Sequence, residues 1–224
     1  QFDPRHPLIA ATMKGIRRTL GAAQAPKEAL LTEDVRAMVL ALPEGLLGLR
    51  DRALLLLGFA GALRRSELVG LDVEDLGFEQ AGVVLTLRRS KTDQDGQGQV
   101  IAVPYGRYET TCPVLAVKTW LDASGITAGP VFRAVDRHGN IAAARLSDRA
   151  VANIVKRAAA AAGLDPADYA GHSLRSGMAT AAARAGVSER SIMNQTRHRS
   201  VAMVRRYIQR GQMFADNAAG QLGL

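Results

Sequence analysis

The chain has 224 residues, 47% of them hydrophobic, and carries a net charge of +8 from 29 lysines and arginines against 21 acidic residues. That supports one sizeable core, alone or with a small appendage. No apolar run is long enough to span a bilayer, and the single Cys112 excludes an internal disulfide and a cysteine-built zinc site.

Pro7 to Leu20 reads as a helix closed by Gly21, with Lys14, Arg17 and Arg18 along it. A small-residue linker containing Pro26 runs on to Leu31. Thr32 suits the N-cap of a helix to about Leu42, broken by Pro43-Glu-Gly. A strongly apolar helix follows, roughly Leu47 to Leu63, and Ser66 caps a short one, Glu67 to Gly70. The period then changes. Gly82-Val-Val-Leu-Thr-Leu-Arg88 is rich in β-branched residues and predicts a strand, with Gln99-Val-Ile-Ala-Val103 as its partner. The polar stretch between them holds the turn signal Asp95-Gly96, which puts Lys91 near a hairpin tip.

Helices resume with Pro113 to Ala123, and a short second hairpin is expected around His138-Gly-Asn140. Ser147 caps a helix to about Ala162, and Leu174 to Ala185 is stopped by Gly186. Ser188 caps Glu189 to Gln195, and Ser200 can cap Val201 to Gln209. The tail, Gln212 to Leu224, predicts a weak helix with Phe214, Leu222 and Leu224 as its apolar face. The fold class is mainly α with a small antiparallel β-hairpin insert, an α+β chain.

A protein this basic is expected to meet a polyanion, nucleic acid first. Five of its basic residues are lysines and the rest arginines, whose planar forks suit phosphate. Along the chain stand Arg64, Lys91, His172-Ser-Leu-Arg175, His198 and, nine residues on, Tyr207. These are the groups needed to hold a phosphodiester while a phenol attacks it. The extra negative charge of the transition state calls for preorganised cationic donors, which Arg64, Arg175 and His198 supply. A phenol with an ordinary pKa of about 10 needs a base. His172, one helical turn before Arg175, can take its proton or hold a phosphate oxygen. The leaving alkoxide needs an acid, for which Lys91 is placed. Acidic residues are scattered, so no metal site and no cofactor are expected.

Taken singly, each residue has a plainer reading: a solvated arginine, a hairpin lysine, a structural histidine, a half-buried tyrosine packing its helix. The joint occurrence is what is informative. The chain has four histidines and four tyrosines, and His6 and His138 fit no pattern.

In these segments the chain resembles the catalytic domain of the tyrosine recombinases, the phage integrase family that includes Cre and the Xer proteins. Gly61-Ala-Leu-Arg64-Arg-Ser-Glu67-Leu resembles the first arginine box, and Ser90-Lys91-Thr-Asp-Gln the β-hairpin lysine. Gly171-His172-Ser-Leu-Arg175-Ser-Gly resembles the His-x-x-Arg box, and Thr196-Arg-His198-Arg-Ser followed by Tyr207 the final segment. The resemblance implies a tyrosine recombinase catalytic-domain fold and a 3′-phosphotyrosyl intermediate resolved by a 5′-hydroxyl without ATP. It further implies that Arg64, Arg175 and His198 hold the phosphate, Lys91 protonates the leaving oxygen, His172 assists proton transfer and Glu67 orients the arginine region.

The family usually has glycine directly before the last histidine. Here Arg197 requires a different backbone angle or places a bulky cation near the phosphate. The resemblance also divides the chain into the end of an N-terminal clamp domain plus linker (1–30), the catalytic domain (31–211) and a tail (212–224).

The partners expected are double-stranded DNA with specific sites and a homotetramer assembled on it through the tail, in the bacterial cytoplasm at the nucleoid. No membrane and no small-molecule substrate are expected. Arg65, Arg89, Arg149, Lys156, Arg197 and Arg199 are the candidate DNA-contacting cations. Two rival readings stand beside this one. Ala181 to Met193 also resembles a helix-turn-helix, as in a transcription regulator with Tyr207 in its core. A recombinase fold that binds DNA without cutting it is the other.

Overall fold

The computed structural model describes residues 6–20, 27–88, 98–198 and 200–211, with the side chains of Arg17 and Arg210 excepted. Arg89, Lys91, the Asp95-Gly96 turn, Arg199 and the tail from Gln212 lie outside these residues.

Helix α1 (Pro7–Leu20) is exposed along nearly its whole length. After it, α2 (Thr32–Leu40), α3 (Leu46–Ala60) and the short α4 (Arg65–Gly70) follow. The apolar residues of α3 run all round it, and a helix with no polar face must be enclosed. Leu54, Leu55 and Leu57 are fully buried, and α2, α5 (Pro113–Ser124), α6 (Asp148–Ala161) and α7 (Ser173–Arg184) pack about it. Two charged residues are buried in the first half of α3: Arg50 pairs with Asp51 at 2.6 Å, and Arg157 of α6 reaches the other oxygen of Asp51 at 2.5 Å. With both oxygens taken, the carboxylate ties α6 to α3 rather than standing as an unpaired charge.

A three-stranded antiparallel sheet, β1 (Leu76–Glu79), β2 (Gly82–Leu87) and β3 (Gln99–Pro104), lies in the order β1-β2-β3. Its pleat shows in the burial pattern: Val83, Leu85 and Leu87 of β2 and Ile101 and Val103 of β3 are buried, whereas Val100 and Ala102 face out. The pairing of β2 with β3 runs from Gly82 opposite Pro104 to Leu87 opposite Gln99. A second hairpin, β4 (Arg133–Val135) and β5 (Ile141–Arg145), turns through Asp136 to Asn140, where Asp136 Oδ1 accepts from the Asn140 backbone N–H at 2.9 Å.

Helices α8 (Glu189–Thr196) and α9 (Val201–Gly211) complete the order. They meet α7 in a small apolar cluster of Ala179, Ala183, Ile192 and Val204, separate from the main core.

Several caps differ from their sequence expectation. Thr32 is already inside α2. Leu31 is its N-cap, and Asp34 closes the turn by accepting the Leu31 N–H at 2.8 Å. Arg64, not Ser66, caps α4, and Glu67 accepts its N–H at 2.8 Å. Helix α3 stops at Ala60 because the chain turns through Ala62 at φ 45°. Ser147 and Ser188 cap as expected, accepting from Ala150 N and Ser191 N.

Candidate active site

The site is assembled where α3 ends. Beyond Ala60 the carbonyls of a helix C-terminus have no helical partner and carry its negative dipole end. Three donors from the far end of the sequence take them. Gln195 Nε2 donates to Ala60 O at 2.9 Å, Arg197 Nη1 to Gly61 O at 3.1 Å, and Ala62 O accepts from Arg175 Nη1 at 2.6 Å and Arg197 Nη2 at 3.1 Å. The other Arg175 fork nitrogen, Nη2, donates to Thr196 O. Arg175 sits in the first turn of α7 and is 1% exposed. Burial, then the charges of Arg64 and Arg197, push its pKa down to about 10, which still leaves it cationic at neutral pH.

Arg64, 24% exposed, stands in front of it at the start of α4. Its Nη1 donates to Glu67 Oε1 at 2.5 Å. Glu67 is 1% exposed, and its Oε2 accepts from Arg197 Nη2 at 2.7 Å. Burial alone would raise the Glu67 carboxyl. Arg197 and the hydrogen bonds and charge of Arg64 together outweigh it, so the group titrates below its ordinary value.

Two histidines complete the pocket. His172 is the N-cap residue of α7. Its side chain reaches the surface, yet the protein around its ring, then Arg175, Arg64 and Arg65, lower its pKa and keep it neutral at neutral pH. His198 follows α8, and its Nδ1 lies 2.8 Å from Thr196 Oγ1. That hydroxyl also donates to Ile192 O at 2.7 Å. With its one proton so committed, the hydroxyl accepts from Nδ1–H and leaves Nε2 as the free nitrogen. Burial first, then Arg175 and Arg64, push the His198 pKa down to about 4.

Tyr207 reaches the site from α9, whose apolar side packs on α7. The helices approach closely: a side chain at Gly211 would meet Thr180 O at 2.8 Å. The Tyr207 hydroxyl lies 3.4 Å from His172 Nε2, and its ring is 5.7 Å from that of His198, tilted by 34°. Beside it opens a cleft of about 290 Å³ lined by Lys27, Ala29, His172, Ser176, Thr180 and Tyr207 among others. A neutral imidazole within reach of a phenol, backed by two guanidiniums, can deprotonate it and stabilise an anionic phosphorus centre.

The structure thus brings Arg64, His172, Arg175, His198 and Tyr207 together, with Glu67 beneath them; Lys91 lies outside the described residues. Of the candidate DNA-contacting cations, Arg65 is exposed beside the site, 3.9 Å from Asp148. Arg149 and Lys156 are exposed on α6, two turns apart and so on one face. Arg197 is turned inward, with its side chain 8% exposed and its fork committed to Glu67 and to carbonyls. Its backbone takes the left-handed angle that glycine favours, φ 54° and ψ 39°. The sequence reading missed the inward role of Thr196, whose signal was only its place two residues before His198, and Lys27, which carried none.

The chain matches the Phage integrase family over residues 28–212. An integrase/recombinase xerD homolog of Selenomonas ruminantium is 46% identical over 216 residues, 96% of this chain and 63% of that protein. The tyrosine recombinase XerC of Syntrophus aciditrophicus is 31% identical over 167 residues, 74% of this chain and 50% of its own length. The chain therefore spans less than two thirds of each of these relatives. Among solved structures, the XerH site-specific recombinase bound to palindromic difH substrate in a post-cleavage complex aligns with a TM-score of 0.70 at 15% identity, over 89% of this chain and 54% of that one. A lambda integrase dimer bound to a COC′ core site aligns with a TM-score of 0.61 at 16% identity, over 91% of this chain and 58% of that one. At such identities the likeness speaks for the fold, a mainly helical domain with small antiparallel sheets, while the sequence match speaks for descent: the chain belongs to the phage integrase family of tyrosine recombinases.

Proposed function

We propose that this chain is the catalytic part of a site-specific DNA recombinase that cuts and rejoins strands through Tyr207. The observation that carries the reading is the Tyr207 hydroxyl 3.4 Å from His172 Nε2, beside two guanidiniums. In the first step the phenol oxygen attacks a backbone phosphorus while its proton passes to His172. Arg64 and Arg175 stabilise the charge that develops on the non-bridging oxygens, and His198 adds a third donor when its free Nε2 is protonated. The bond from phosphorus to the 5′-oxygen breaks, Lys91 protonates that oxygen, and a 3′-phosphotyrosyl ester remains. Attack by a 5′-hydroxyl reverses each transfer and rejoins the strand.

Residues 31–211 form the catalytic unit in this reading, and the family match over 28–212 supports that division. The substrate is double-stranded DNA, reached in the cytoplasm, with Arg65, Arg149 and Lys156 as exposed contacts beyond the scissile phosphate. The tail, 212–224, docks on a neighbouring copy in a tetramer. Deleting it should abolish assembly on DNA in a gel-shift or light-scattering experiment, and unchanged assembly would remove that part of the proposal. A regulator built on the α7–α8 turn would leave the pairing of His172 with Tyr207 without a purpose.

The test uses nicked duplexes that lose a short leaving strand and so trap the covalent adduct. The chain should form an adduct resolved on a denaturing gel, and Tyr207→Phe should not. An adduct that survives in Tyr207→Phe means that the nucleophile lies elsewhere.

A further inference from the structure

Arg197 occupies a conformation that L side chains rarely adopt, at the C-cap of α8. Glycine would fit that backbone without strain, so the turn itself does not call for arginine. It does not reach for solvent: it is 8% exposed, and its fork spans from the Gly61, Ala62 and Gln195 carbonyls to Glu67 Oε2 at 2.7 Å.

We propose that Arg197 is a positioning residue that shares the Glu67 carboxylate with Arg64 and so keeps the Arg64 guanidinium available to the phosphate. The inference rests on the reading of Arg64 as a phosphate-holding group. The two guanidiniums take one oxygen each, Arg64 on Oε1 and Arg197 on Oε2. With Arg64 alone, the buried carboxylate would form a neutral pair, and an incoming phosphate would have to compete with it for the fork. With both, the triad holds two positive charges against one negative. The positive excess falls on the member with solvent access, since Arg64 is 24% exposed against 8% for Arg197 and 1% for Glu67. The same bonds tie the residue before His198 to the loop before Arg64, so the two phosphate-facing groups are set by one carboxylate. The position asks for cation and length together: a neutral side chain would leave Glu67 to Arg64.

The experiment compares the full chain with Arg197→Met, Arg197→Gly and Arg197→Lys on nicked DNA, reading both the adduct-forming rate at saturating DNA and the Kd for uncut DNA. Arg197→Met and Arg197→Gly should slow adduct formation about tenfold with Kd held within about twofold, because the residue is buried away from DNA. Arg197→Lys should recover most of the rate. In a Glu67→Gln background, which has no carboxylate to share, Arg197→Met should no longer slow the reaction. A rate in Arg197→Met equal to the unmodified chain, a loss undiminished in the Glu67→Gln background, or a Kd that weakens by the same factor as the rate would each overturn the proposal. A second readout is independent of cleavage: followed by carbon-13 NMR, the Glu67 carboxyl should titrate higher in Arg197→Met, and an unchanged titration overturns the sharing. Failure of the unmodified chain to form any adduct would instead remove the recombinase reading, and the carboxyl titration would still decide the role of Arg197.

Discussion

His172 Nε2 and the Tyr207 hydroxyl stand 3.4 Å apart across 35 residues of sequence, one on the N-cap of α7 and the other on α9. The contact needs α9 to lie against α7, and the proposed proton transfer needs a neutral imidazole. Both conditions follow from the fold, and each can be tested.

Replacing His172 by Ala should lower the adduct-forming rate on the order of 100-fold while DNA binding persists, the usual scale for a lost proton acceptor. Because the surrounding protein, Arg175, Arg64 and Arg65 hold its pKa below the ordinary value, the acidic limb of the rate profile should fall below the usual imidazole midpoint of about 6.5. A limb centred at 6.5 or higher, or a His172→Ala rate close to the unmodified one, would remove His172 as the base.

Arg175→Ala should destabilise the chain by about 3 kcal/mol in urea unfolding, since it takes the Arg175 donor from the buried Thr196 carbonyl and one of two donors from Ala62 O. Arg175→Lys keeps the charge but not the planar fork that spans the two carbonyls. It should cost less in stability and still slow cleavage at least 100-fold. Unfolding midpoints that do not move for either variant would contradict the arrangement.

Thr196→Val is nearly isosteric and removes the hydroxyl on His198 Nδ1. The stability loss should be about 1 kcal/mol, the scale of one buried hydrogen bond, and the cleavage rate should drop about tenfold as the imidazole loses its fixed orientation. Nitrogen-15 spectra of the His198 ring should lose the signature of a protonated Nδ1. A Thr196→Val chain with unaltered imidazole signals would refute the contact.

His198 also makes stability depend on pH. Its pKa in the folded chain is about 4, below the ordinary value of about 6.5 that it regains on unfolding. Between these values the unfolded chain binds the extra proton, so stability is complete above about 6.5 and is lost as pH falls toward 4. Thermal midpoints should decline across this window and decline less steeply in His198→Gln. Equal slopes for the two proteins would show that His198 is not the group responsible.

Much of this was legible in the sequence where spacing and cap chemistry act locally. The β-branched run of β2 alternates as its pleat requires, Ser147 and Ser188 cap their helices, and the two basic boxes and Tyr207 lie at separations that the fold closes into one pocket. What was not legible depends on distant partners. β1 is a four-residue strand with three exposed positions, so no alternation marks it. The inward turn of Arg197 depends on a carboxylate 130 residues away, and sequence cannot tell a buried guanidinium from a solvated one. Nor does the sequence show that Arg50 and Asp51 are buried in α3, where they pair with each other and Arg157 of α6 takes the second carboxylate oxygen.

The separateness of the small apolar cluster under α9 has a kinetic meaning. Val204, Ile192, Ala179 and Ala183 hold the helix that carries Tyr207, the proposed nucleophile, through few side chains, while the main core is built without it. Such a segment can peel away and reseat at a fraction of the free energy of global unfolding. Amide protons of α8 and α9 should exchange with solvent well ahead of those in α3, and the Tyr207 hydroxyl would then be withdrawn or presented by the docking of one short rod.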